Sequence, residues 1–177
     1  CTSLETVNLL DGITSIGDSA FQGCTSLTSV SIPDSVTSIG ESAFQRCTSL
    51  TSVSIPDSVT SIEESAFRSC SSLNGIYVDE NNPNYSNDDR GVLFDKAQTK
   101  LIQAPATISG PYAIPDGVVT LNSYAFHNCD DLTSVSIPYG VTSLDWRTFL
   151  SCDNLTSVDL PDSLTYIGWY SFEDCTS

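Results

Sequence analysis

The chain has 177 residues, 40% of them hydrophobic, which suits one domain of ordinary size or one stretch of a repeat array. Six Lys and Arg residues stand against 22 Asp and Glu residues, and the resulting charge of −16 would repel a phosphate backbone. This balance excludes nucleic-acid binding, and the lack of any apolar run of about 18 residues excludes a membrane span within this segment.

A 23-residue unit recurs along the sequence. Five of the six intervals between successive cysteines have the length of this unit, and the sixth, from Cys70 to Cys129, equals two units plus an insertion of just over half a unit. Six phenylalanines form a second column, each three residues before a cysteine: Phe21, Phe44, Phe67, Phe126, Phe149 and Phe172. Such periodicity is typical of a repeat protein in which neighbouring units stack.

The unit from Leu27 to Cys47 illustrates the elements expected in chain order. Val30 and Ile32 alternate with serines, which predicts a short, half-buried strand, and Pro33-Asp34 then predicts a turn. Val36 and Ile39 point inward again, and residues 41–46 predict a turn of helix or 3₁₀-helix that buries Phe44. So small a unit cannot bury its apolar face alone, so we expect parallel strands stacked about 4.8 Å apart.

The run L-x-x-V-x-I-P-D-x-V-x-x-I-G-x-x-A-F-x-x-C-T-S resembles the BspA-type leucine-rich repeats over essentially the whole chain. The resemblance implies an α/β solenoid of horseshoe form, with a parallel concave sheet of about eight strands and short helical or 3₁₀ turns on the convex side. Residues 78–85, 91–95 and 100–105 resemble the longer repeat variant of this family. They imply an irregular repeat over 73–115 with an inserted hairpin. Because the chain opens on Cys1 and lacks methionine, we expect 1–177 to be a single solenoid segment of a longer protein.

Two columns of chemically active residues have structural interpretations. The cysteines are expected to be buried thiols that act as small hydrophobes, with a disulfide between neighbours as the alternative; no C-x-x-C pair or histidine column accompanies them, so no metal site is predicted. The aspartates that follow the strands are expected to form turns, with Ca²⁺ binding as the alternative. These aspartates are Asp11, Asp34, Asp57, Asp116 and Asp162.

Little in the sequence predicts catalysis. The single histidine, His127, shares a column with Gln22, Gln45 and Arg68, so we interpret it as an exposed, variable position rather than a general base. No base accompanies a serine nucleophile, and no phosphate-binding loop is present, so we expect neither an enzyme nor a cofactor. Asn84 and Asn154 begin sequons and are possible glycosylation sites.

The most informative departure from the repeat is aromatic. Trp146 and Trp169 occupy a column that elsewhere holds Asp18, Glu41, Glu64 and Ser123. Nearby, tyrosines replace smaller or acidic residues, and clustered exposed aromatics indicate a binding patch for a protein or a glycan. The predicted patch comprises Tyr139, Trp146, Tyr166, Trp169 and Tyr170, with Tyr124 in the neighbouring column. The structural alternative is that these rings cover apolar edges or pack on a following repeat.

The sequence therefore predicts a non-catalytic recognition or adhesion module that is extracellular or at the cell surface. The resemblance implies this location, and the acidic surface fits it. The alternative is a structural spacer or assembly subunit that contacts flanking repeats or domains of the same chain.

Overall fold

Two short strands in each repeat define the architecture in this computed structural model, which describes all of residues 1–177. The strands are β1 (Thr6–Asn8), β2 (Ser15–Ile16), β3 (Ser29–Ser31), β4 (Ser38–Ile39), β5 (Ser52–Ile55), β6 (Ser61–Ile62), β7 (Gly75–Val78), β8 (Tyr85–Asn87), β9 (Leu93–Asp95), β10 (Lys100–Gln103), β11 (Gly110–Ala113), β12 (Thr120–Leu121), β13 (Leu132–Ser136), β14 (Ser143–Leu144), β15 (Ser157–Asp159) and β16 (Tyr166–Ile167).

The strands stack as two ladders along a solenoid of seven coils, which confirms the predicted solenoid. In the first ladder Val7 pairs with Val30, and in the second Ile16 pairs with Ile39, both in parallel and one repeat length apart. The first ladder contains β1, β3, β5, β7, β11, β13 and β15, and the second contains β2, β4, β6, β10, β12, β14 and β16. The first ladder therefore has seven strands where about eight were predicted.

The segments that connect the second ladder to the next coil contain no helix, so the predicted α/β class and the helical or 3₁₀ turns are wrong. Ser42 and Arg46 adopt left-handed backbone conformations, with φ of 55° and 60°, which break any right-handed helical run. The amide groups also have two kinds of partner: Phe44 N–H donates to Ala66 of the next coil, whereas Gln45 N–H donates to Ser42. The bonds that a helix would form along the chain therefore run partly between coils. With no helix present, no helix is long and apolar enough to cross a membrane.

The repeated apolar residues pack into two core clusters, one in each half of the chain. Phe44 is fully buried and stacks on Phe21 and Phe67, with ring centroids 5.3 Å and 5.6 Å away. A second stack in the other half contains Phe126, Phe149 and Phe172. No stacking contact joins Phe67 to Phe126, so the phenylalanine column is interrupted between the two clusters.

The cysteine column lies beside these stacks, and all seven cysteines are free. The prediction of burial is confirmed for five of them, whereas Cys1 is exposed and Cys175 is partly buried. The Cys70 thiol donates a hydrogen bond to the Phe44 carbonyl at 3.1 Å, and other thiols of the column repeat this contact. Burial raises the pKa of Cys70 to about 12 and also raises the pKa values of Cys47, Cys129 and Cys152, so these four thiols are poor nucleophiles and metal ligands.

An antiparallel hairpin interrupts the array in its fourth coil. Strand β9 pairs with β8 on one side and with β10 on the other. Gly91 lies at the hairpin turn with φ of +71°. Its backbone packs against Gly75, so that a side chain at position 91 would place its Cβ only 2.6 Å from the Gly75 Cα. Ile76 N–H donates to the Gly91 carbonyl, and the Arg90 guanidinium donates to the Ser109 and Pro111 carbonyls. The hairpin turn therefore lies between β7 and β11, and its hydrogen bonds connect these two strands of the first ladder.

The same coil is shorter on its opposite side. Each coil has a connecting segment that joins its second-ladder strand to the first-ladder strand of the next coil. In a regular coil this segment runs from Ser38 to Ser52. In the fourth coil the equivalent segment runs only from Lys100 to Pro111. The turn of the fourth coil is thus shorter by three residues. The turns of the third and fifth coils consequently meet: the Ser69 Oγ lies 3.4 Å from the His127 Nδ1.

Candidate functional site

Trp146 and Trp169 follow β14 and β16 in equivalent positions of the last two coils. Backbone hydrogen bonds join these coils: Arg147 N–H donates to the Trp169 carbonyl, and Gly168 N–H donates to the Leu144 carbonyl. The side chains remain accessible: Trp146 is 46% exposed and Trp169 is 76% exposed. The two indoles of adjacent coils therefore lie on one surface.

The two indoles line a surface groove of about 410 Å³, here called the aromatic groove. Its lining consists of Ser123, Asp145, Trp146, Tyr166, Gly168 and Trp169. Gly168 keeps the coils close at the base of the groove, since a Cβ there would lie 2.8 Å from the Leu144 carbonyl oxygen. The groove thus combines aromatic surface with the Asp145 carboxylate and hydroxyl groups, which can stack on a ring and accept or donate hydrogen bonds.

Arg147 supports the groove from its neighbouring column. Its guanidinium carbon lies 4.8 Å from the centroid of the Trp146 ring and 5.0 Å from that of Tyr170. The guanidinium also forms an ion pair with Glu173 at 3.3 Å and donates to the Tyr124 hydroxyl at 3.4 Å. These contacts restrict the rotamers of Trp146 and Tyr170 without a ligand, which lowers the entropy lost on binding. The supporting role of Arg147 was not predicted from the sequence.

The structure gathers most of the predicted patch but not all of it. Tyr166, which is 54% exposed, lines the groove with both tryptophans, and Tyr170, 52% exposed, adjoins it through Arg147. Tyr139 is 82% exposed but lies in the turn between β13 and β14 and does not line the groove. The expectation that Tyr124 is an exposed member is wrong, because its ring is buried between Arg68 and Trp146.

His127 is also buried, which corrects the prediction of an exposed, variable position. The shortened fourth coil brings Ser69 against the imidazole, and Tyr124 packs edge-on against it at 5.6 Å. Burial, with a smaller contribution from Arg68, Arg147 and Arg46, lowers the pKa of His127 to about 4. The imidazole is therefore neutral at physiological pH.

The remaining candidate residues lie apart from the groove. The aspartates of the turn column are exposed, and no three His, Cys, Asp or Glu side chains are grouped so as to hold a metal ion. Asn154 is exposed, and its side-chain amide donates to the Asp130 carbonyl at 2.8 Å. Asn84 is partly buried beside the hairpin, where its N–H donates to Asn82.

The repeat geometry has counterparts among known proteins. A family model of the BspA type leucine-rich repeat region matches residues 1–109 and 111–177 in six copies. The chain belongs to the BspA-type leucine-rich repeat family. The resemblance inferred from the repeat motif is thereby confirmed. The search of curated proteins returned no match.

Three solved structures show the similarity of the fold. The pneumococcal vaccine antigen PcpA is 26% identical, with a TM-score of 0.89 over 93% of this chain and 47% of PcpA. A leucine-rich repeat protein from Eubacterium ventriosum is 27% identical, with a TM-score of 0.70 over 97% of this chain and 58% of that protein. A leucine-rich cell surface protein from Faecalibacterium prausnitzii is 30% identical, with a TM-score of 0.69 over 99% and 59%. The chain thus spans about half the length of these proteins.

Proposed function

We propose that this solenoid segment is a non-catalytic recognition module at the cell surface or outside the cell. In this proposal the aromatic groove binds a protein or glycan partner. The observation that carries it is the presence of both tryptophans of the chain, with Tyr166, in one accessible groove. Exposed aromatic rings that are held by neighbouring contacts are typical anchors of binding sites.

The family and the structural relatives support the location and the kind of activity. Leucine-rich repeat solenoids are scaffolds whose specificity resides in residues displayed on the repeats. One structural relative is described as a vaccine antigen and another as a cell surface protein. By analogy we place this segment on the outside of a cell.

A screen against glycan and extracellular-protein panels tests the proposal. The test variant is Trp146→Ala/Trp169→Ala, and Tyr139→Asp is the control because it removes an exposed ring outside the groove and introduces the residue common in that column. Circular dichroism and urea unfolding establish that both variants are folded. A partner that binds the parent and Tyr139→Asp but not the double variant supports the proposal. A partner that all three bind equally, or no partner at all, contradicts it.

In the structural alternative the array is a spacer or assembly subunit, and the apolar residues of its last coil pack on a further repeat or domain. Ile167 is 45% exposed, whereas its equivalents Ile39 and Leu144 are fully buried beneath the following coil. A further repeat or domain stacked on this face would cover Ile167 together with part of Trp169. A longer version of the protein in which both indoles are inaccessible to acrylamide would favour the spacer function.

A further inference from the structure

Three of the six basic residues lie on the same side of the solenoid as the aromatic groove, although the chain as a whole is strongly acidic. Of its six basic residues, Arg46, Arg68 and Arg147 all lie on the turns opposite the first ladder. Arg68 and Arg147 both contact Tyr124, and the positive charges of all three arginines lower the pKa of the buried His127. We call these three residues the arginine cluster.

The shortened fourth coil explains why this cluster forms. A turn of regular length there would separate the third and fifth coils by two strand spacings, about 10 Å. Instead the Arg68 guanidinium carbon lies 3.8 Å from the centroid of the Tyr124 ring, and Arg147 from the following coil donates to the Tyr124 hydroxyl. Two guanidinium groups thus contact the same phenol ring.

Arg68 has no anionic partner in the protein. Only one ion pair is present in the structure, between Arg147 and Glu173, despite 22 available carboxylates. The Arg68 Nε is buried without a hydrogen-bond acceptor, and the side chain as a whole is partly exposed. A planar guanidinium that is held on a ring and lacks a carboxylate partner is suited to a carboxylate ligand.

The arginine cluster is continuous with the aromatic groove. The Tyr124 ring that carries Arg68 packs against Trp146 in an edge-on contact, with centroids 5.1 Å apart. Trp146 in turn lines the groove with Trp169. Because Arg68 and Trp146 contact the same ring, their side chains are close enough for one ligand of disaccharide size to reach both.

We propose that the groove and the arginine cluster together recognise a glycan that ends in an acidic sugar, with its carboxylate at Arg68 and a neighbouring sugar ring on the indoles. This inference rests on the proposed function and specifies the class of ligand. A single terminal carboxylate is compatible with the net charge of −16, whereas a long polyanion would be repelled by the rest of the surface.

Calorimetric titrations with sialyllactose and lactose test the inference, because the two probes differ only in the acidic sugar. A disaccharide that ends in glucuronic acid distinguishes a general carboxylate site from one that requires the sialic acid skeleton. The parent should bind at least one acidic probe about tenfold or more tightly than lactose. Arg68→Gln should abolish that preference. Lys96→Gln, which removes one positive charge at the hairpin, should retain the preference.

Three outcomes overturn the inference. They are equal binding of acidic and neutral probes, an acidic preference that Arg68→Gln retains, and binding of neither acidic probe. Failure of the proposed function is recognised separately with the Trp146→Ala/Trp169→Ala variant. If that variant loses a protein partner or a neutral glycan that the parent binds, the recognition function stands and only the acidic specificity is wrong.

Discussion

The phenylalanine stack provides a quantitative test of how the coils stabilise one another. Phe44 is fully buried and stacks on a phenylalanine in each neighbouring coil, whereas Phe67 is 3% exposed and stacks only on Phe44. Truncating a buried Phe to Ala costs about 3–5 kcal/mol, and each aromatic pair adds about 0.5–1.5 kcal/mol. Phe44→Ala should therefore reduce the free energy of unfolding by about 1 kcal/mol more than Phe67→Ala.

Urea unfolding followed by circular dichroism measures the two values, provided that the m-value is unchanged from that of the parent. Phe44→Leu is the control, because it removes both ring contacts but leaves most of the apolar volume, and it should cost less than either alanine variant. Equal losses for Phe44→Ala and Phe67→Ala would refute the view that the stack is interrupted after Phe67.

Three further predictions concern the hairpin, the buried histidine and the thiols. Gly91→Ala should destabilise the protein by more than Gly110→Ala, because both glycines have φ near +70° but only Gly91 is in contact with backbone, and urea unfolding of both variants measures the difference. The pKa of His127 lies at about 4, below the unfolded value of 6.5, so the unfolded state binds the proton first as the pH falls. The free energy of unfolding of the parent should accordingly fall by about 2 kcal/mol more than that of His127→Gln when the pH is lowered from 7 to 5. Urea unfolding of both proteins at the two pH values measures this difference. An equal decrease in the two proteins would contradict the burial of the imidazole. A thiol reagent at pH 8 should modify Cys1 promptly and the five buried cysteines only when the protein unfolds, and mass spectrometry counts the modified thiols. Rapid modification of several thiols in the folded protein would contradict the burial of the cysteine column.

Much of the fold could be predicted because every repeat gives the same signal. Alternation around Val30 specified a strand of the first ladder, and its pairing partner one repeat away followed from the fixed period. The turns were harder to predict, since residues 41–46 have a composition compatible with a helix. The left-handed conformations of Ser42 and Arg46 come from hydrogen bonding between coils, which no single repeat reveals.

The candidate site was predictable only where it depended on the repeat column. The column placed Trp146 beside Trp169, but it also suggested that His127 and Tyr124 are exposed. That error arose in the irregular coil, where the long interval between Cys70 and Cys129 reveals a net insertion but hides a turn shortened by three residues. The contact of Arg68 with Tyr124 results from this shortening, so column positions alone could not predict it.

In the proposed function, a ligand occupies the groove lined by both tryptophans of the chain. Because Trp146 and Trp169 are the only two tryptophans, their fluorescence reports on this groove alone. The most direct measurement is acrylamide quenching of tryptophan fluorescence with and without a partner from the binding screen, at a concentration that saturates the protein. We predict that the bound partner protects both indoles and lowers the quenching constant. Quenching that is unchanged while calorimetry shows full occupancy would place the binding site elsewhere and contradict the claim.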